Sequence, residues 1–240
     1  MASRYLVVSV AVGVACSGAV TLMAQQAGSP RVAAAQASAP QAEALPADVY
    51  PDSRARLPLP KREQMDAEGQ RVYDRFVGPD VKSLAGLQGP YGIWLHNPKL
   101  AALAQPLNAY LRYDTPLGPR LTELAILVAA RELNNQFLWT SHEPNALKEG
   151  LDRAVIDVVR DRKAVTGLPD KEALIITLGR TLYAHRKPDS QLFARALRVF
   201  GDVDLVNLVA LFGDYAAMVM VSDTFDIQLR PGQTPLLPIK

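Results

Sequence analysis

Two side chains in this sequence are of kinds that move protons, and their surroundings would sharpen that ability. Glu123 interrupts the run Leu-Thr-Glu-Leu-Ala-Ile-Leu-Val at 121–128. A carboxylate among hydrocarbon side chains needs an ionic or hydrogen-bonded partner, because an isolated buried charge is very costly. His142 closes the aromatic segment Phe137-Leu138-Trp139-Thr140-Ser141-His142, and imidazole titrates close to neutral pH, which suits it to giving and taking a proton. On one continuous helix, 19 residues would hold the two groups about 28 Å apart. Asn134-Asn135 between them is a turn signal, and a fold-back there would bring carboxylate to imidazole. Such a pair does acid/base chemistry without a cofactor, with His142 carrying the proton and Glu123 fixing its tautomer.

Other residues could complete the site. Arg120 or Arg131 could bind a substrate carboxylate through a bidentate contact. Trp139 and Asn135 lie three and seven residues before His142, so on a helix they share its face and could line a pocket. His96, close to Trp94 and just before Pro98, either reaches the site or ends a loop. Each residue also has a structural role open to it. Glu123 could pair with Arg120 or Arg131 simply to hold the fold, Trp139 could be core, and His142 could cap a neighbouring carbonyl. No metal site is expected, because His96, His142 and His185 contain no close ligand pair and Cys16 is the only cysteine.

The elements that must position these residues are helical. Hydrophobic residues make up 49% of the 240 positions, enough for a substantial core. Basic and acidic side chains number 26 and 24 and do not cluster, so nucleic acid is not an expected partner. Met65, Val72, Tyr73 and Phe76 recur at helical spacing and predict a helix over 61–77. Further helices are expected over 98–113, 120–133, 136–149, 152–161, 170–186, 188–200 and 202–224. Gly, Pro, Asn and Asp punctuate them. No stretch alternates long enough for a strand, which makes the domain all-α, over 48–240 with an irregular C-terminal tail.

The N-terminus is of another kind. Arg4 precedes an uncharged apolar run over 5–24 that ends on the small Ala24, the pattern of a secretory signal peptide over 1–24. The run is also long enough to span a bilayer, so an uncleaved anchor stays open as the alternative. Either reading predicts an exported protein, periplasmic or secreted, with membrane as a partner only if the segment is retained. Residues 25–47 are rich in Ala, Gln, Ser and Pro and read as a disordered linker.

The order of Glu-Leu-Ala-Ile-Leu on one helix, a short turn, then an aromatic-rich helix with a histidine resembles the carboxymuconolactone decarboxylase family. Its thiol-active branch, the alkylhydroperoxidase D-like proteins, carries a glutamate, then Cys-x-x-Cys, then a histidine four residues after the second cysteine. On that spacing Glu123 and His142 match the glutamate and histidine, while the cysteine positions fall on Asn135 and Leu138. Gln88-Gly89-Pro90, Trp94-Leu95-His96-Asn97-Pro98 and Arg120 resemble features of larger, cysteine-free members, and the likeness covers roughly 61–225. It implies an alkylhydroperoxidase D-like helical bundle, assembly as a trimer or hexamer, and cofactor-free decarboxylation or a related lyase or isomerase step on a small carboxylic acid or lactone. Peroxide reduction by the family's thiol route is excluded, since that route needs a thiolate and a resolving thiol. Leu138 departs from the cysteine-free relatives, which often have glutamate there. A non-catalytic binding module and a structural oligomer remain the alternatives to an enzyme. The apolar residues of the last helix, Leu208, Leu211, Phe212, Tyr215, Met218 and Met220, suit either a core or a subunit contact.

Overall fold

The computed structural model describes residues 45–79 and 81–239. The expected signal segment, and the linker up to residue 44, lie outside the described residues. Within them the protein is all-α, with eight α-helices and no β-strand. A single isolated bridge pairs Tyr50 with Ala55.

Short polar caps start most of the helices. Asp66 accepts from the Gly69 amide to open α1 (Ala67–Val77), and Asn97 accepts from Leu100 to open α3 (Pro98–Ala109). Between them lies the short α2 (Pro90–Trp94), with Pro90 in its first turn. Each cap satisfies an amide that the first helical turn leaves without a partner. The expected helix 61–77 is split. A 3-10 turn at Arg62–Gln64 precedes α1, because Met65 adopts an extended backbone and the Asp66 side chain caps only the turn after it.

The expected helix 98–113 also changes character before its end. Its last turn, Tyr110–Asp114, widens into a π-helix. This turn buries Leu111 and Arg112, three and four residues after the buried Asn108 and so on the same face. Single π turns of this sort recur at functional sites.

The core is built around α4 (Pro119–Glu132), where every residue from Leu121 to Ala130 is buried. It packs against α5 (Gln136–Lys148), α6 (Arg153–Arg160), α7 (Asp170–Tyr183) and α8 (Ser190–Thr224). Leu124, Ile126 and Leu127 are completely shielded, each contributing about 1.5–3 kcal/mol by leaving water. Gly179 lets α7 approach closely. A Cβ there would sit 2.5 Å from Val128 Cγ1 and 2.9 Å from Phe212 Cζ.

The two helices expected over 188–200 and 202–224 are both present, as the two arms of α8 on either side of a kink at Gly201. Gly201, with φ 74° and ψ 177°, breaks the helical path in a region of backbone space open chiefly to glycine. By length and composition α8 could cross a membrane, yet half of its most apolar stretch is buried within the protein, as in a core helix.

Candidate active site

The turn between α4 and α5 sets the site. Asn134 takes the left-handed conformation, φ 54°, which asparagine tolerates better than most residues. Asn135 then caps α5 by accepting from the Leu138 amide at 2.8 Å, and its Nδ2 donates to Asp223 Oδ1 on α8 at 2.8 Å. The chain reverses, and the two helices pack as a hairpin.

Across that hairpin His142 Nδ1 lies 2.7 Å from Glu123 Oε2. Both side chains are deeply buried, at 4% and 3% exposure. The other carboxylate oxygen, Oε1, accepts from Asn145 Nδ2 at 2.8 Å and faces Arg112 Nη2 at 3.5 Å. Burial pushes the Glu123 carboxyl up, but His142, Arg112 and Asn145 together outweigh it and hold it below its ordinary value. Glu123 is therefore an anion at neutral pH. An anionic acceptor at Nδ1 places the imidazole proton there and leaves Nε2 as the basic nitrogen.

His142 forms part of the wall of a cavity of about 50 Å³, with Arg112, Ser141, Tyr91, Asn108 and Tyr215. That is room for roughly three waters or the polar end of a small ligand. Residues 83–86 with Gly89 and Pro90 form one side, and Phe137, Leu138 and Met218 add apolar surface. The Tyr215 ring meets the His142 ring edge-on at 5.5 Å. Tyr91 Oη donates to Asn108 Oδ1 at 2.8 Å, and Asn108 Nδ2 donates to Asp214 Oδ2 at 2.6 Å. Burial pushes the Tyr91 hydroxyl up to about 12, despite the opposing pull of Arg112. Burial also raises Tyr215 well above its ordinary value. Both stay protonated donors at neutral pH.

Several residues expected at the site serve elsewhere. Arg120 is partly exposed and pairs with Glu172 at 2.6 Å on α7. Arg131 donates to the Arg160 carbonyl at 2.6 Å and to Asn134 Oδ1 at 2.7 Å, fastening the end of α4 to α6. Neither reaches the cavity, since each points toward a partner on a neighbouring helix or turn. Trp139 is wholly buried, with Nε1 donating to Glu143 Oε2 at 2.6 Å, and Glu143 also pairs with Arg153. It belongs to the core. Asn135 acts as a helix cap. His96 is exposed, with Nε2 2.9 Å from the Pro58 carbonyl, and it borders a separate surface groove with Pro58, Lys61, Gln64 and Asp66.

The structure adds Arg112, Asn145, Ser141, Tyr91, Asn108 and Tyr215 to the pair. Asn145 follows His142 by one helical turn, so its spacing was a usable signal. Arg112 lies one helical turn after Asn108 on the same face, but arginine is seldom fully buried, so its type gave no signal. Among the described residues no group of three His, Cys, Asp or Glu side chains is arranged to hold a metal ion.

No known family model matches the sequence, and no curated protein matches it either.

Proposed function

We propose that this chain is an exported protein of the carboxymuconolactone decarboxylase type, lacking the Cys-x-x-Cys pair of the thiol-active branch and performing cofactor-free proton transfer on a small carboxylic acid or lactone. The observation that carries this reading is the 2.7 Å contact between His142 Nδ1 and Glu123 Oε2, with the same imidazole on a cavity wall.

In the decarboxylation the bond between a carbon and its carboxylate breaks and CO₂ departs. The electron pair stays on that carbon. Protonated His142 delivers a proton to it from Nε2, and solvent then returns one to the imidazole. Glu123 orients the ring through Nδ1 and stabilises the imidazolium while it exists. A lyase or isomerase step would use the same two groups, with neutral His142 first removing a proton from carbon.

Assembly into a trimer or hexamer belongs to the same reading. Leu103, Leu107, Val203 and Val206 are all exposed, and Tyr110 at the end of α3 reaches Asn207 on α8 at 3.3 Å, which brings the two apolar surfaces close together. Export is proposed from the charge and hydropathy pattern of residues 1–24.

Incubating carboxylated γ-lactones with wild type and His142→Ala in D₂O tests the chemistry. Wild type should release CO₂ and place deuterium at the carbon that carried it, and His142→Ala should be slower by about 10²–10⁴-fold. Equal rates would remove His142 from the reaction.

A further inference from the structure

Among the described residues, two polar groups around the cavity lack partners, and both belong to residues that the acid/base step does not use. Arg112 is a buried cation whose Nε has no hydrogen-bond partner. Its one ionic contact, Nη2 to Glu123 Oε1, is 3.5 Å long, well beyond the roughly 2.7–2.9 Å of a strong charge-assisted bond. Glu123 is already held at 2.7 Å by His142 and at 2.8 Å by Asn145, so it does not fully satisfy the guanidinium. The face of Arg112 is covered by the Tyr113 ring at 4.7 Å, so any further partner must meet its donor-bearing edge.

The second group is the Ser141 hydroxyl. Helical hydroxyls in this protein commonly bond back to the carbonyl four residues earlier, as do Thr177 to Ala173, Thr181 to Thr177 and Ser222 to Met218. Ser141 is buried on α5 and makes no such bond. Thr122 shares that lack, but it is not a cavity residue, whereas Ser141 and Arg112 both are. Leaving a buried polar group unpaired is unfavourable, and one bound group could relieve both residues.

We infer that Arg112 and Ser141 form a carboxylate-binding subsite, and that the ligand is a small acid whose anionic end docks there. A carboxylate offers two coplanar oxygens, matching Nε and a terminal nitrogen of the arginine fork, with a free lone pair for the Ser141 hydroxyl. Both protein atoms are shielded from solvent, so docking the acid turns these two side chains toward it. The body of the ligand then lies against Phe137, Leu138 and Met218, which favours a hydrocarbon or lactone skeleton over a sugar or a polyamine. Ser141 directly precedes His142 in the chain, so the acid docks beside the imidazole. The inference deepens the function proposed above by assigning the binding of the acid to residues other than the proton carriers.

Calorimetry on the full chain, with propanoate and its neutral isostere propanamide as probes, tests it without turnover. Wild type should bind propanoate at least about ten-fold more tightly than propanamide, the range of a charge-assisted pair. Ser141→Ala should weaken propanoate by about 5–10-fold and leave propanamide less affected. Arg112→Gln should abolish the preference. If circular dichroism shows that Arg112→Gln does not fold, Ser141→Ala decides, because its hydroxyl has no internal partner to lose. His142→Ala should keep propanoate binding while losing catalysis, so a failure of the acid/base reading and a failure of the subsite give different results. Equal affinity for the two probes, no binding of propanoate, or an unchanged affinity in folded Ser141→Ala overturns the inference.

Discussion

Replacing Glu123 by glutamine removes one negative charge from the middle of the fold while keeping the shape of the side chain. At 3% exposure water cannot substitute for it. The change turns two charge-assisted hydrogen bonds, to His142 and Asn145, into neutral ones at best, and leaves the buried Arg112 cation without its anion. Breaking a buried ion pair by removing one partner costs about 3–5 kcal/mol, a large share of the 5–15 kcal/mol or so that holds a typical domain together. The assay is urea unfolding at several pH values, followed by the fluorescence of the buried Trp94 and Trp139.

The pH dependence of that difference has a definite sign. The Glu123 carboxyl lies below its ordinary 4.5 in the folded protein, because His142, Arg112 and Asn145 outweigh the opposing effect of burial. Its stabilisation is therefore complete above the unfolded value and is lost as pH falls through the folded one. The gap between wild type and Glu123→Gln should be widest near neutrality and should narrow as pH falls below the ordinary 4.5. Asp214, whose carboxyl burial raises, has the opposite sign and loses stabilisation as pH rises. It is present in both proteins and cancels from the difference. A gap under about 0.5 kcal/mol at pH 7, within the range of an ordinary surface change, would refute the reasoning. So would a gap that does not narrow in acid.

Three further outcomes are expected. Gly179→Ala should lower stability by about 1–3 kcal/mol in thermal melts, because its methyl would press on Val128 and Phe212 in a packed core. Trp139→Phe should cost about 1–3 kcal/mol in urea, since it deletes the indole donor to the buried Glu143. Asp189→Ala removes the side chain that accepts from the Leu192 amide at 2.7 Å at the start of α8, and should cost about 1 kcal/mol in the same assay.

The helical pattern of the chain was legible because apolar spacing and capping residues agree. Asp66, Asn97, Asp152 and Asp189 each cap the helix next in the chain, and Asn134-Asn135 marks the reversal between α4 and α5. The meeting of Glu123 with His142 follows from that turn together with the need of a buried carboxylate for a partner. What the sequence concealed depends on residue type or on distant chain. Arginine is seldom fully buried, so nothing singled out Arg112 as a cavity residue. Tyr91, Asn108 and Tyr215 come from three other helical stretches, and only tertiary packing gathers them. Arg120 and Arg131 misled for a different reason. Both flank Glu123 within α4, but their nearest acceptors lie on α7 and α6.

The most direct test of the central claim is the position of the His142 proton, read by long-range ¹H–¹⁵N correlation on protein labelled at the histidine ring nitrogens. A proton on Nδ1, shifted far downfield by its bond to Glu123 and lost in Glu123→Gln, is the expected result. A neutral ring protonated at Nε2, or a spectrum that Glu123→Gln leaves unchanged, would contradict it.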